Sequence, residues 1–408
     1  MAMKYESAVL PNGLRVVAEV NPDSHTAAAG FFVKTGARDE APDLMGVSHF
    51  LEHMMFKGTP TRSAEEVDRD FDDIGADHNA FTSTEMTAFW AHGLPDRLPR
   101  LSEILADILR PALRDEDFDN EKKVILEEIA MYEDNPFWVL YEQALETYYS
   151  GHPLAHRVLG TDKTITDLKV EQMREYFTSR YSADNTVVAF AGKLDFKKTV
   201  DQLGAACGSW VRTDAKRDTI VARVHESDFT RESDKVNRHY LLMMMPGPSQ
   251  QDDRRYAAAV LSQILGDSEG SRLYWSLGET GLAEEAVAQH EPRDGTGEML
   301  VYAASGPEQA EEVEAIVRKE LASATQEISE DDLLRVRSKI ATAVTIHGEL
   351  PGGRMRRLGR MFMYGDQYRT LEEELARINA VTIQDLREVA EAFPLVPKVV
   401  ARLKPIKS

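Results

Sequence analysis

Cysteine is almost missing from this chain: 408 residues contain one, Cys207. A single cysteine excludes an intrachain disulfide and fits a reducing compartment. Its neighbours Ala205 and Ala206 mark it as a small packed thiol rather than a reactive one. Basic residues are also scarce: Lys+Arg number 48 against 69 Asp+Glu, a formal net charge of −21. That balance argues against a nucleic-acid partner, and none is expected, because phosphate binding needs a basic footprint. An acidic surface keeps the protein soluble, and it also attracts basic peptides by long-range steering. No apolar run is long enough to span a membrane, so none is expected as a partner. The opening MAMKYESAVLPNG has neither the apolar core of a secretory signal nor the arginines of an organelle presequence. A cytoplasmic location is expected.

Against that background one short run stands out: His49-Phe50-Leu51-Glu52-His53, an H-x-x-E-H pattern. On a helix each residue advances about 100°, so the two histidines share one face, one turn apart. Their imidazoles can converge on one metal, and Glu52 lies beside that face. Two imidazoles with a free carboxylate next to them suit water activation at neutral pH. Gly46-Val47-Ser48 supplies a turn before the motif. Leu51, Met54, Met55 and Phe56 supply packing, so the helix is expected to be mostly buried. A buried helix does not carry two histidines and a glutamate without partners that satisfy them.

A catalytic zinc usually takes three protein ligands. The run from Glu121 to Asn135 is helix-favouring and uninterrupted until Pro136, and it is rich in carboxylates. Glu121 and Glu128 are seven residues apart, on nearly one face. One can bind a metal while the other orients a histidine. Spacing alone does not choose between Glu127 and Glu128.

Four segments together resemble the pitrilysin-type (inverzincin) zinc peptidases. That family includes insulin-degrading enzyme, the mitochondrial processing peptidase and small bacterial homologues. The segments are GVSHFLEHMMFKGT (46–59), NAFTSTEMTAFW (79–90), EKKVILEEIAMYEDNP (121–136) and HPLAHRVLGT (152–161). PGPSQQDDRRYAAAVLSQILG and GSRLY fit the second-domain pattern, so the resemblance spans nearly the whole chain. It implies Zn2+ held by His49, His53 and Glu128, with Glu128 closing the E-x6-E pattern that begins at Glu121. It implies Glu52 as general base and Glu121 as a supporting acid. It also makes Asn79, Ala80 and Phe81 an edge strand that receives an unfolded peptide, a mode built on backbone hydrogen bonds. The implied activity is zinc-dependent endoproteolysis in a chamber of four homologous domains. One chain supplies two, so a homodimer, or a heterodimer with a related subunit, is expected.

One departure matters. Many active relatives carry an Arg and, seven residues later, a Tyr in the second domain. Here the corresponding stretch is Leu277 to Glu285, with Glu284 at the Tyr position and no Arg where one is expected. Losing an oxyanion donor costs about 100- to 1,000-fold in rate. Either another group or a related second chain replaces the pair, or the chain is a non-catalytic subunit, like the core proteins of a respiratory complex that share this fold.

The resemblance and the pattern of elements give an α+β fold of two homologous domains, each an antiparallel-rich sheet packed with helices. The Asn12-Gly13 turn between apolar runs predicts an opening hairpin. Strand is expected at 27–34 and 186–191, and helix at 63–74, 96–109 and from 121 towards 149. The second half repeats the order, with strand at 238–245, helix at 254–265 and strand at 299–304. Helices at 308–324, 331–349 and 371–379 and a last strand near 398–403 follow. The expected boundaries are 1–212 for the zinc-carrying domain, 213–234 for a charged linker and 235–408 for the second domain. Arg354, Arg356, Arg357 and Arg360 cluster at helical spacing. They suit a solvated face, an interface or contacts to a peptide carboxylate.

Overall fold

The Asn12-Gly13 turn closes as its residue types demand: Gly13 takes φ +93° and the Leu14 carbonyl accepts from the Leu10 amide at 2.9 Å. It joins β1 (Lys4–Val9) to β2 (Arg15–Val20). In this computed structural model, which describes residues 3–217, 220–326, 328–365 and 367–406, that hairpin starts a six-stranded sheet. The other strands are β3 (Ala27–Val33), β4 (Asp77–Thr82), β5 (Thr87–Gly93) and β6 (Thr186–Gly192), in the order β1-β2-β6-β3-β5-β4. A second, five-stranded sheet comprises β7 (Ser227–Ser233), β8 (His239–Pro246), β9 (Ala283–Pro292), β10 (Gly297–Ser305) and β11 (Val399–Pro405), in the order β7-β11-β8-β10-β9. With β1 set aside, the two orders correspond strand for strand. The parallel pair falls in the same place in each, β2 with β6 and β7 with β11. The internal duplication that sequence identity could not establish is therefore visible in the topology. The fold is α+β with two helix-packed sheets, as expected.

The compact units interleave along the chain. One comprises Met1–Ile129, His156–Asp218 and Ile346–Tyr368; the other comprises Ala130–Ala155, Thr219–Thr345 and Arg369–Ser408. Contiguous boundaries at 212 and 235 did not anticipate this exchange of segments. The run 213–234 also holds more than a linker, since β7 lies in it and pairs in parallel with β11. Phe229 is the one large apolar side chain of β7, so the backbone ladder rather than side-chain alternation defines this strand. The edge strand β9 and the helices Pro351–Tyr364 and Ile383–Ala392 were likewise not read from periodicity.

The helix Pro351–Tyr364 belongs to the first unit, where Met355, Leu358 and Phe362 pack with Phe32, Ala28 and Ala189. Two glycines allow the approach. A Cβ on Gly30 would lie 2.3 Å from Met355 Sδ, and one on Gly359 would lie 2.2 Å from the Phe32 ring. Two of the four clustered arginines face inward. Arg354 reaches the fully buried Glu19 at 2.9 Å, Arg357 pairs with the same carboxylate, and the Tyr368 hydroxyl donates to it at 3.0 Å. Arg356 stacks over Trp90 at 5.1 Å. No helix among the described residues is long and apolar enough to cross a membrane.

Gly359→Ala is expected to destabilise the protein by about 1–3 kcal/mol through overpacking against Phe32. Gly204→Ala, at an exposed position of the helix Phe196–Cys207 with open space at its Cβ, should stabilise it by about 0.5–1 kcal/mol. Paired denaturant melts check both signs.

Candidate metal centre

The motif folds into the helix Val47–Met55, which starts immediately after Gly46. Gly46 takes φ +95°, and a Cβ there would strike the Leu159 carbonyl oxygen at 2.6 Å. Gly160 faces it with φ +77° and is equally intolerant, its Cβ position 2.4 Å from the Met45 carbonyl oxygen. The HPLAHRVLGT segment therefore crosses the helix start by backbone contact. Gly46 has no side chain to cap the first turn, and Glu40 supplies the cap instead. Its two carboxylate oxygens accept from the Gly46 and Ser48 amides at 2.7 and 2.8 Å. Burial pushes the Glu40 carboxyl up to about 8, and those amides keep it from rising further. The Ser48 hydroxyl meets the Tyr176 hydroxyl at 2.7 Å, and Tyr176 meets Thr35 at 2.7 Å. The apolar side is closed by Phe50, Leu51, Met54 and Met55, all buried.

The long helix Asp115–Glu133 brings Glu121 and Glu128 to the histidine face. Glu128 Oε2 lies 3.6 Å from Nε2 of His49 and 3.6 Å from Nε2 of His53. Both separations are too long for hydrogen bonds. One donor atom from each of the three residues lies within 4.8 Å of the others, the one such His/Cys/Asp/Glu group among the described residues. Glu121 stands behind them. Its Oε1 accepts from His53 Nδ1 at 2.9 Å and its Oε2 is 2.7 Å from Lys57 Nζ. In the neutral imidazole this contact favours the Nδ1–H tautomer, whose Nε2 lone pair faces Glu128. Glu127, which spacing alone left open, is not in the group.

Electrostatics follow from burial and crowding. Burial, with some repulsion from His53, lowers His49 to about 3, so that imidazole is neutral and its lone pair free. Burial raises both Glu52 and Glu128, with the histidine charge and, for Glu52, the Thr82 hydroxyl working against it. Burial also raises Glu121, but His53 and Lys57 outweigh it and hold that carboxyl below its usual range. Burial pulls His53 down, and the three surrounding carboxylates more than offset it.

Glu52 sits beside the group with Oε2 accepting from Thr82 Oγ1 at 2.6 Å. Thr82 ends β4, the outermost strand on that side of its sheet. On β4, Thr82 and Ala80 share the face towards the motif helix, whereas Asn79 and Phe81 face the other way. Phe81 packs against the Met355 cluster, and Asn79 is exposed with its Oδ1 accepting from the Ala80 amide at 2.8 Å. In the second sheet Glu284 is ion-paired with Arg238 at 2.6 Å. Sequence reasoning did not find Lys57 or Glu40, and it placed Thr82 in the edge strand without its bond to Glu52. Lys57 lies four residues after His53, and that spacing was the one signal for it.

The helix in the second unit that corresponds to the motif helix, Arg255–Gly266, reads RYAAAVLSQILG and carries no His or Glu. One half of the duplication thus holds the metal-type donors. Comparison with known proteins agrees. The family Insulinase (Peptidase family M16) matches residues 15–162, and Peptidase M16 inactive domain matches residues 167–340. An uncharacterized zinc protease of Streptomyces coelicolor is 33% identical over 394 residues, covering 93% of this chain and 85% of that protein. The uncharacterized zinc protease YmxG of Bacillus subtilis is 31% identical over 384 residues, covering 93% of each. Among solved structures, a protease from Helicobacter pylori shares the fold with TM-score 0.92 at 22% identity, over 99% of this chain and 100% of that one. A chain of Complex III2 from Candida albicans does so with TM-score 0.83 at 18% identity, over 98% and 95%. The chain belongs to the M16 (insulinase, or pitrilysin-type) peptidase family, whose curated relatives here are named zinc proteases.

Glu121→Gln should weaken zinc binding about 10- to 100-fold, because the amide carries no charge to polarise His53 and turns an N–H towards Lys57. Competition with a chromophoric chelator measures it.

Proposed function

We propose that this chain is a zinc-dependent endopeptidase, with His49, His53 and Glu128 as ligands, Glu52 as general base and an extended peptide added along β4. The observation that carries the reading is the convergence of two imidazole Nε2 atoms on one carboxylate oxygen, 3.6 Å from each without a hydrogen bond. Donors about 2.0 Å from one zinc at tetrahedral angles sit about 3.3 Å apart, which the two 3.6 Å separations approach, and all three donors lie within 4.8 Å of one another. A neutral His49 and the Glu121-oriented His53 are the ligand states it requires. Bound there, zinc supplies Lewis acidity towards water and the scissile carbonyl.

The chain's own groups account for the rest. Glu52, with one oxygen held by Thr82, keeps the other to take a proton from the attacking water and deliver it to the leaving nitrogen. Burial brings its basicity nearer neutrality, which suits both transfers. The open edge of β4 offers backbone donors and acceptors to any extended chain, which favours unfolded peptides and tolerates varied sequence. The Ala80 amide, held meanwhile by Asn79, is one donor such a peptide would take over.

A second reading is a non-catalytic or partner-dependent subunit. It is favoured by Glu284, which stands at the Tyr position and is occupied with Arg238. An assembly in which a second copy, or a related subunit, completes the chamber reconciles the two readings.

Metal content and cleavage of an unstructured basic peptide, for wild type and Glu52→Gln, test the proposal. Expected is about one zinc per chain in both proteins and a loss of turnover of about 100- to 10,000-fold in the variant. Zinc without turnover in either protein, alone or with a related subunit, would favour the second reading. Absence of zinc from both would contradict the site.

A further inference from the structure

We infer that Thr82 is a positioning residue that aligns Glu52 with the bound peptide, an inference that rests on the peptidase reading above. Among the described residues, the Thr82 hydroxyl makes the one hydrogen bond to the Glu52 side chain, at 2.6 Å. A glutamate side chain has three rotatable bonds, and its terminal torsion is soft. A buried carboxylate held at one oxygen loses that freedom and presents the other oxygen in a defined direction. Hydrogen bonds to an ionised acceptor are the strong kind, and 2.6 Å lies in their range.

The backbone under Thr82 is fixed from both sides. Thr82 pairs with Thr87 at the closing end of the β4–β5 hairpin. The turn beyond it is tied by the Ser83 amide to the Met86 carbonyl at 2.8 Å and by the Ser83 hydroxyl to the same carbonyl at 3.0 Å. The Met86 amide returns to the Ser83 hydroxyl at 3.1 Å. Thr82 therefore sits on a rigid hairpin end, and its position sets that of Glu52. The strand that carries it is also the open edge along which a peptide would add. A peptide bonded to β4 and a carboxylate bonded to β4 share one frame, so the base is registered against the scissile bond before any proton moves. This differs from a hydroxyl that merely satisfies its nearest acceptor: removing it should disturb the chemical step and spare peptide and zinc binding.

The test compares wild type, Thr82→Val, Thr82→Ser, Glu52→Gln and the double variant Glu52→Gln/Thr82→Val, with zinc content, melting temperature, kcat and KM for the same peptide. Valine keeps the shape and β-propensity of threonine and removes only the hydroxyl. Expected for Thr82→Val is a kcat lower by about 10- to 100-fold, the worth of one hydrogen bond to a charged group, with KM and zinc content within about 2-fold of wild type. Thr82→Ser should recover most of that loss. Adding Thr82→Val to Glu52→Gln should cost little more, because the hydroxyl acts through the carboxylate. Wild-type kcat in Thr82→Val would overturn the inference. So would a loss shared equally by kcat, zinc content and melting temperature, or a full additional loss in the double variant. A wild-type protein that binds zinc and turns over no peptide, alone or with a related subunit, would overturn the peptidase reading, and the role of Thr82 with it.

Discussion

Three carboxylates and two imidazoles crowd one face of a nine-residue helix, and the surrounding structure is arranged around that crowding. Left to themselves, Glu52, Glu121 and Glu128 would repel one another and resist burial. Their surroundings divide that cost unequally. Lys57 and His53 compensate Glu121, whereas burial leaves Glu52 and Glu128 less acidic than free carboxyls. A divalent cation between His49, His53 and Glu128, as proposed, would complete the compensation. The same arrangement leaves Glu52 outside the candidate His49–His53–Glu128 group, where the proposed proton transfer would need it.

Holding this face together requires a helix that cannot shift. Its start is pinned by the Gly46–Gly160 backbone approach and by the Glu40 carboxylate, and its flank by the Ser48–Tyr176–Thr35 hydroxyl chain. None of these groups touches the proposed ion. Each removes a freedom that would otherwise blur donor separations of a few ångströms. The second sheet, with the same strand order, lacks these donors on its equivalent helix, so the duplicated framework carries the chemistry once.

Much of the site was legible in the sequence because helix geometry is local. Four-residue spacing put His49 and His53 on one face, and seven-residue spacing did the same for Glu121 and Glu128. Choosing Glu128 over Glu127 needed the family pattern, since one step along a helix is about 100° and periodicity alone cannot say which face meets a distant partner. The contacts of Thr82 and Glu40 were not legible, because their partners lie 30 and 6 to 8 residues away across turns. The arginine cluster was legible as a cluster but not as an internal one: its acceptor, Glu19, is more than 330 residues distant. The exchange of segments between the units was hidden for the same reason, since a helix's amphipathic pattern shows that it packs and not which sheet it packs on.

The central claim is that two imidazoles and one carboxylate of this chain share one zinc. X-ray absorption at the zinc edge, on protein purified without added chelator, tests it most directly. The account predicts a zinc shell of nitrogen and oxygen neighbours at about 2.0–2.1 Å with the outer scattering of two imidazoles and no sulfur. A sulfur shell at about 2.3 Å, imidazole scattering from three or more histidines, or protein that takes up no zinc would contradict it.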